Sequence, residues 1–308
     1  MELIRGIHNI ARRHRGCVLT IGNFDGVHLG HQEVLNGLKL RANSLGLAST
    51  VMTFEPHPQE LFLGQQAPAR LSRLREKLRL LENYDIERLL CVRFNQQFAT
   101  LSAPEFIEQL LVNKLGVKFL VVGDDFRFGH DRTGDYNMLV EAGQQYGFEV
   151  VSTQSLKLAN ARISSTLIRQ KLAAGEIAKA QQMLGHPYTI SGRVRHGDKK
   201  GRTIGFPTAN IALERKVSPL HGVYAVEVVL DEVSYSGVAN IGQRPTVNGS
   251  RMQLEIHLFD FQQDIYGKTI DTQVLHKIRD EFKFDSFEQL KQQIAKDAVE
   301  AKAFFISN

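Results

Sequence analysis

The sequence predicts two domains of different class: an α/β domain whose parallel sheet carries helices on both faces, then a small antiparallel β-barrel with a C-terminal helix. Three observations carry this. Over the first half, short apolar runs rich in β-branched residues alternate with helical patterns. Over the second half, short strand-like runs are divided by Gly, Pro, Asn and Asp, and a helical pattern returns only in the tail. Between the halves, a helical pair over 164–184 stops at Gly185, and His186 and Pro187 break the pattern. The boundary is expected there, giving domains 1–184 and 185–308.

The strands expected in the first half are CVLTIGNF, STVMTF, RLLCVRF, KFLVVG and FEVVS. Between the first two, Val34, Leu35, Leu38, Ala42 and Leu45 recur at helical spacing, and Gly46 is a stop. Ser102 and Glu105 have capping-box spacing ahead of FIEQLLVNKL, which Gly116 closes. The helical pair opens with the hydroxyls of SSTLIRQKLAAG and continues as EIAKAQQMLG. The second half offers YTISGRVRHGD, GVYAVEVVL, YSGVANIG, LEIHLF and TIDTQVLHKI as barrel strands. Its tail, SFEQLKQQIAKDAVEAKAFF, reads as an amphipathic helix capped by Ser286.

Composition narrows the function classes. A chain of 308 residues, 43% hydrophobic and 23% charged, has the ordinary mixture of a soluble globular protein and can bury a core in each half. Its net charge of +5 fits a nucleic-acid surface, an enzyme that handles phosphates, or a plain solvated surface. Cys17 and Cys91 lie in apolar runs and are expected as buried free thiols of a reducing compartment. No CxxC or His/Cys cluster points to zinc. The N-terminal stretch MELIRGIHNIARRHRG lacks the apolar core of a signal peptide, and no run approaches the ~18 apolar residues of a membrane span. A soluble, cytoplasmic protein with no membrane partner is expected.

The first candidate site is GNFDGVHLGH, Gly22 to His31. In α/β sheets ligands bind beyond the carboxyl ends of strands, and this stretch joins the first strand to the first helix. His28 and His31 share a face of the first turn, the helix start adds free N–H groups, and Gly30 leaves room for a close ligand. Gly22, Phe24 and Asp25 complete the loop. A polyphosphate cradle is one reading. A metal would need a third ligand, and none is evident nearby. A structural turn with Asp25 as its cap is the remaining alternative. The spacing His-x-Gly-His resembles the signature of the nucleotidylyltransferase superfamily.

Two later stretches belong beside it. ISSTLIR places Ser164, Ser165 and Thr166 at a helix start with Arg169 one turn in, a set suited to phosphate oxygens or, more simply, a cap and a surface arginine. GDDFRFG follows KFLVV, again at a carboxyl end. There Asp124 or Asp125 can bond a ribose, a base or a flavin. Phe126 and Phe128 either flank that ring or pack in the core.

In the second half, residues 193–202 hold five Lys or Arg against one Asp, within the glycine-rich stretch SGRVRHGDKKGRTIGFPTANI. Such a loop binds phosphates; RNA is the alternative, though no RNP-like aromatic pattern accompanies it. In GFPTAN, Thr208 and Asn210 are two apart on an extended chain and point the same way. They can serve Mg²⁺, which takes few protein ligands, or they mark a strand that begins after Pro207. Glu255 alternates with Leu254 and Ile256 in LEIHLFDF, and is either a general base beside a Mg–ATP site or a solvated strand residue.

Taken together and in order, these motifs resemble the bifunctional bacterial riboflavin kinase/FAD synthetase family over essentially the whole chain. GNFDGVHLGH, VVGDDFRFG and ISSTLIR resemble its adenylyltransferase module. GRVRHGDKKGRTIGFPTANI, GVYAV, GVANIGQRPT, LEIHLFDF and IRDEFKF resemble its kinase module. Composition and periodicity show two domains and phosphate loops; flavin enters only through the resemblance.

The resemblance implies a Rossmann-like nucleotidylyltransferase domain followed by a riboflavin kinase domain. It implies transfer of the ATP γ-phosphoryl to riboflavin, giving FMN and ADP. It then implies adenylation of FMN by a second ATP, giving FAD and pyrophosphate. His28, His31, Ser164, Ser165, Thr166 and Arg169 would hold the adenylating ATP along with Gly22, Phe24, Asp25 and Gly30. Asp125, Phe126 and Phe128 would meet the flavin. In the kinase module Glu255 would be the base, Thr208 and Asn210 would hold Mg²⁺ and ATP, and Arg279 would lie on the flavin side. The loop Gly192–Gly205, with Gly197 and Gly201, would cover the nucleotide. No Walker loop GxxxxGK[ST] is present, and no nucleic-acid partner is implied. Two other readings stand beside this one: a single-activity nucleotidylyltransferase with a regulatory barrel, and an RNA-binding protein using the basic loop.

Overall fold

The computed structural model describes residues 1–153, 163–196, 205–214, 217–246 and 249–307. They form two compact units, Met1–Pro68 with Arg73–Ile163, and Ala69–Ser72 with Ser164–Asn308.

The first unit holds a six-stranded sheet: β1 Glu2–Arg5, β2 Cys17–Ile21, β3 Ala48–Glu55, β4 Arg88–Arg93, β5 Phe119–Val122 and β6 Glu149–Ser152, in the order β1-β4-β3-β2-β5-β6. Every pairing is parallel. Five strands are the apolar runs. The sixth, β1, was not expected, because ELIR is four residues long and charged at both ends; as an edge strand on β4 it needs only one buried residue, Ile4.

Helices cover both faces. Cys17, Leu19 and Ile21 of β2 join one core with Leu110, Leu111 and Leu139, from the helices Phe106–Leu115 and Tyr136–Tyr146. Val18 faces the other core with Leu35, Leu38 and Ala42 of helix α1, Leu29–Leu45, and with Leu81 of the helix Leu74–Glu82. This period of two along β2 is what a sheet covered on both faces requires. Gly46 ends α1 in the left-handed region, at φ 61°. The Ser102–Glu105 capping box forms, but Phe106–Leu115 is wound as a π-helix rather than an α-helix; the Gly116 N–H that closes it bonds the carbonyls of Leu111 and Val112. Cys17 and Cys91 are buried free thiols, and burial pushes Cys17 up to about 11.

The strand order positions a site. From β2 the sheet grows outward through β3 and β4, then the chain returns to lay β5 on the opposite side of β2. The direction of winding reverses between β2 and β5. In open α/β sheets the crevice at the carboxyl ends of such a pair is where ligands bind.

The second unit is a closed barrel, β10-β11-β8-β7-β12-β9, made of β7 Thr189–Arg195, β8 Ala209–Ala212, β9 Gly222–Leu230, β10 Val233–Thr246, β11 Gly249–Leu258 and β12 Thr269–Arg279. All its pairings are antiparallel. Five strands were expected, and the sixth, β8, is the strand after Pro207. Gly192 permits the crossing of β7 and β8, since a Cβ there would meet Ile211 Cγ2 at 2.1 Å. The helices Ser165–Ala173 and Ile177–Leu184 cluster with this unit, where Gln181 Nε2 donates to the Val274 carbonyl at 2.7 Å. The last helix, Phe287–Ser307, is capped by Ser286, whose Oγ accepts from Gln289 N at 3.2 Å. It places Ala298 and Ala301 against Val223, Ala225 and Val238. Among the described residues no helix is long and apolar enough to cross a membrane.

Candidate active sites

The loop Gly22–His31 leaves β2 at the switch point. Its backbone turns through the left-handed region at Phe24 (φ 46°), Gly26 (φ 80°) and Val27 (φ 40°). A β-branched residue there is a conformational outlier, and such strain persists only where the surroundings fix it. Here Val27 is fully buried, its N–H donates to the Phe24 carbonyl at 3.3 Å, and its own carbonyl accepts from Gln32 Nε2 at 2.9 Å. Gly22 N donates to Met52 O at 3.1 Å, and Thr53 Oγ1 donates to Asn23 O at 3.3 Å.

This backbone delivers the two histidines as a pair. His28 caps α1, its Nδ1 accepting from His31 N at 3.4 Å. The two rings stack with centroids 3.7 Å apart and planes at 17°, and Phe24 packs 5.0 Å from His31. A Cβ on Gly30 would press on the His28 ring at 3.4 Å, so glycine keeps the ring's flank clear. His28 and Asp25 are buried. Asn23 Oδ1 and His31 Nδ1 are enclosed with no hydrogen-bond partner, two orphaned polar atoms in one loop. Among the described residues no group of three His, Cys, Asp or Glu forms a metal-binding cluster.

Burial, then His28 and Lys77, hold the His31 pKa well below the ordinary imidazole value. His31 is therefore a neutral hydrogen-bonding group near neutral pH. The stability consequence has a definite sign. Below the ordinary value of 6.5 the unfolded chain takes a proton at His31 that the folded chain refuses, so acid favours unfolding until the folded pKa is reached. The protection factors of the α1 amides, which already discount the slower intrinsic exchange in acid, are expected to fall as the pH drops below about 6.5. The slope is expected to flatten in His31→Gln; equal slopes in the two proteins would exclude His31 as the source. Exchange within α1 separates this from His257 in the barrel, whose pKa is lowered too, by burial first and partly by Lys302, against the Pro207 carbonyl that raises it.

The β5 loop opens at the same edge, since Val18, Leu19 and Thr20 of β2 lie in register with Phe119, Leu120 and Val121. Phe126 N bonds the Gly123 carbonyl at 3.0 Å, closing a turn. Ser152 Oγ donates to Asp124. Asp125 is exposed and Phe126 half-buried. Phe126 stacks on Phe128 at 5.6 Å, and Phe128 is a buried core residue against Phe106 at 5.1 Å. The structure thus gives Phe128 a packing role and leaves Asp125 and the outer part of Phe126 on the surface.

In the second unit, Ser164 caps the helix Ser165–Ala173 by accepting from Leu167 N at 3.3 Å. Ser165 and Thr166 form its first turn. Arg169 Nε donates to the Ala69 carbonyl at 2.5 Å, tying the strap Ala69–Ser72 to this unit.

The barrel assembles a third set. Glu255 of β11 lies directly opposite Asn210 of β8 on one side and Asn240 of β10 on the other. Residues so paired share a face, so a row Asn210–Glu255–Asn240 crosses three strands. Leu254 and Ile256 point inward, fully buried. Arg244 grips Glu255 with both ends of its fork, at 2.8 and 2.6 Å. Gln253 Nε2 donates to Asn210 Oδ1 at 2.6 Å, and Asn210 Nδ2 donates to the Thr208 carbonyl at 3.2 Å. Thr208 lines a cavity of about 320 Å³ with Val194, Ala209, Ile256, Phe261 and Tyr266. His196 packs on Tyr266 at 3.9 Å.

Arg279 is committed elsewhere. Its Nε and one terminal nitrogen bond the two oxygens of Asp297 at 2.8 and 2.7 Å, and its plane lies 4.5 Å from the Phe282 ring. It pins the last helix to β12, with the exposed Phe282 beside it. Gly197 and Gly201 lie outside the described residues. Arg244 and Gln253 hold the candidate residues Glu255 and Asn210, and sequence reasoning passed over both. Their signal was there, as Asn240, Gly242 and Arg244 alternate on one strand and Gln253 and Glu255 on another, but it becomes legible only with the register of the hairpin.

Known proteins resemble this chain along its whole length. A family model described as FAD synthetase matches residues 10–167, and one described as riboflavin kinase matches residues 184–305. A bifunctional riboflavin kinase/FMN adenylyltransferase of Escherichia coli (strain K12) is 56% identical, over 99% of this chain and 98% of that protein. The Haemophilus influenzae protein of the same description is 54% identical over 100% of both. The Pseudomonas fluorescens one is 48% identical over 98% of this chain and 97% of its own. A crystal structure described as a macrolide-efflux protein from Streptococcus pneumoniae has the same fold, with a TM-score of 0.77 and 33% identity over 96% of this chain and 97% of that one.

Proposed function

The chain belongs to the family of bifunctional riboflavin kinases/FMN adenylyltransferases, and on that basis we propose how its residues divide the two reactions. It is an ATP-dependent enzyme that phosphorylates riboflavin to FMN and adenylates FMN to FAD. The proposal places the functional boundary at 184/185, beside residue 184, where the riboflavin kinase match begins.

For the adenylyl transfer, the stacked pair His28 and His31 at the switch point binds the triphosphate of ATP. An oxygen of the FMN phosphate attacks the α-phosphorus, the bond to the β-phosphate breaks, and pyrophosphate leaves. No covalent enzyme intermediate is required. The task is to hold and hydrogen-bond the charge spread over phosphate oxygens, which enclosed imidazoles and the N–H groups of α1 do without reorganising. Gly22, Phe24, Asp25 and Gly30 shape this loop, and Asp125 with Phe126 receives FMN at the β5 end. The helix start Ser164–Thr166, with Arg169 one turn on, is assigned to phosphate on its own geometry, three hydroxyls at a capped N-terminus.

For the phosphoryl transfer, the ribityl hydroxyl of riboflavin attacks the γ-phosphorus and gives its proton to Glu255, while the bond from the γ-phosphorus to the bridging oxygen breaks and ADP leaves. The observation that carries this assignment is the register that sets Glu255 opposite Asn210. Arg244 orients the carboxylate while leaving lone pairs to accept the proton. The cavity beside Thr208 has the size and mixed lining of a nucleoside pocket.

Thr208 and Asn210 suit Mg²⁺, since both offer hard oxygen atoms and Mg²⁺ completes its shell with water and phosphates. The bond from Gln253 fixes which end of the Asn210 amide is the oxygen and leaves it a second lone pair. When bound, the ion would supply charge neutralisation across the β- and γ-phosphates. Arg279 is assigned to the flavin side through the exposed Phe282 that it braces, and Gly197 and Gly201 to the nucleotide cover. A cytoplasmic location suits these soluble substrates.

Incubation with riboflavin, ATP and Mg²⁺, followed by separation of the flavins, is expected to yield FMN and then FAD. Formation of FAD from supplied FMN, with none from riboflavin, would instead favour a single-activity adenylyltransferase with a regulatory barrel. If neither flavin product appears, the assignment fails. Chelation with EDTA is expected to stop FMN formation.

A further inference from the structure

Lys77 is the most conspicuous charged residue that neither reaction yet uses. It sits on the helix Leu74–Glu82 and is only 6% exposed. A buried lysine is costly unless its surroundings or its role require it. Its Nζ donates to Thr53 Oγ1 at 3.3 Å. The same hydroxyl, fully buried on β3, donates onward to the Asn23 carbonyl at 3.3 Å. Asn23 opens the loop that carries His28 and His31, and its own side-chain Oδ1 is enclosed without a partner. Lys77 is also one of the charges that disfavour protonation of His31.

We propose that Lys77 is a positioning residue of the adenylyl-transfer centre. Through Thr53 it fixes the Asn23 carbonyl at the root of the Gly22–His31 loop that carries the histidine pair. This rests on the assignment of His28 and His31 to the triphosphate. The strained backbone at Phe24 and Val27 needs a fixed root, and a lysine–hydroxyl–carbonyl relay anchored on a neighbouring strand supplies one. The lysine's charge adds positive potential to a loop proposed to hold a polyanion.

The test uses the full chain, with riboflavin phosphorylation in the barrel as an internal control of folding. Lys77→Met is expected to lower kcat/KM for FMN adenylation by about tenfold to a hundredfold. Its rate of FMN formation from riboflavin should be unchanged. In the same variant, the NMR titration of the His31 imidazole is expected to move to higher pH, because a like charge that disfavours its protonation is gone; a merely structural role would not move it in that direction. Thr53→Val removes the relay and keeps the lysine. It is expected to slow adenylation while leaving the His31 titration in place, and it decides the matter if Lys77→Met does not fold. Wild-type adenylation in Thr53→Val, or in a folded Lys77→Met with an unmoved His31 titration, would overturn the proposal. Loss of adenylation in His28→Asn beside unaffected Lys77 and Thr53 variants would sink this inference alone. Full adenylation in His28→Asn would sink the underlying assignment.

Discussion

Replacing Glu255 with glutamine is expected to slow riboflavin phosphorylation by about 10²–10⁴-fold, the usual contribution of a positioned general base. FMN adenylation in the same preparation should proceed at the wild-type rate. Glutamine keeps the shape of the side chain and one oxygen for Arg244, so the row Asn210–Glu255–Asn240 is preserved and only the proton acceptor is lost. The Arg244 pair is not a stability element whose loss would confuse the result: Arg244 is 54% exposed, and pairs of that kind contribute about 0–1 kcal/mol. The effect should appear in kcat rather than in the KM for ATP, because the proposed base acts on the flavin hydroxyl and not on the nucleotide. Initial rates of FMN formation at saturating ATP and Mg²⁺, beside rates of FAD formation from supplied FMN, measure both halves in one sample. A variant that makes FMN as fast as the wild type would remove Glu255 as the base. A variant that loses both activities would show that the two units do not work independently.

The fold was readable where a single period dominated the sequence. CVLTI, STVMTF and KFLVV are short runs dominated by apolar and β-branched residues because both faces of their sheet are covered, and that signal does not depend on any distant partner. The elements that escaped are those whose existence depends on neighbours. β1 is a short edge strand, stable only because β4 is there to pair with it. β8, Ala209–Ala212, is intermediate: a strand beginning after Pro207 is one of two readings of GFPTAN, and its pairing with β7 and β11 bears that reading out. The π-winding of Phe106–Leu115 leaves no trace in a pattern that suits an α-helix equally well.

The site was legible in its loops and illegible in its supports. His28, His31, Thr208, Asn210 and Glu255 stand in short, unusual stretches. Arg244, Gln253, Thr53 and Lys77 act through pairings between residues 11 to 43 positions apart, and no local pattern encodes such a register. Arg279 shows the converse hazard. Its place in IRDEFKF makes it a candidate for the flavin side, yet the chain uses it to hold Asp297, a carboxylate only 5% exposed, from the last helix. A substitution there would remove the partner of a buried charge, typically a loss of about 3–5 kcal/mol, so activity measured on it would report folding as well as flavin binding.

His28→Asn is expected to lower FMN adenylation by about 10²–10³-fold while FMN formation continues, so that FMN accumulates and FAD does not. Asparagine is chosen over alanine for a structural reason. His28 is the N-cap of α1, and its ring nitrogen accepts the His31 N–H. Asparagine is among the best N-cap residues, so the helix start is kept, whereas alanine would cost about 1 kcal/mol there and loosen the turn that carries His31. What asparagine cannot replace is the ring. The stack of His28 on His31, at 3.7 Å, sets the direction of both imidazoles, and Gly30 keeps the open flank of His28 clear. Because His31 is held neutral, the pair offers directed hydrogen bonds rather than two fixed charges, and their value lies in being enclosed and already aimed where charge develops between the α- and β-phosphates. The loss should therefore fall on kcat more than on the KM for ATP, the opposite of what a simple electrostatic anchor would give. Single-turnover measurement of pyrophosphate release from FMN and ATP separates the two: a variant that binds ATP less tightly but releases pyrophosphate at the wild-type rate once saturated would show that His28 holds the nucleotide without assisting its reaction.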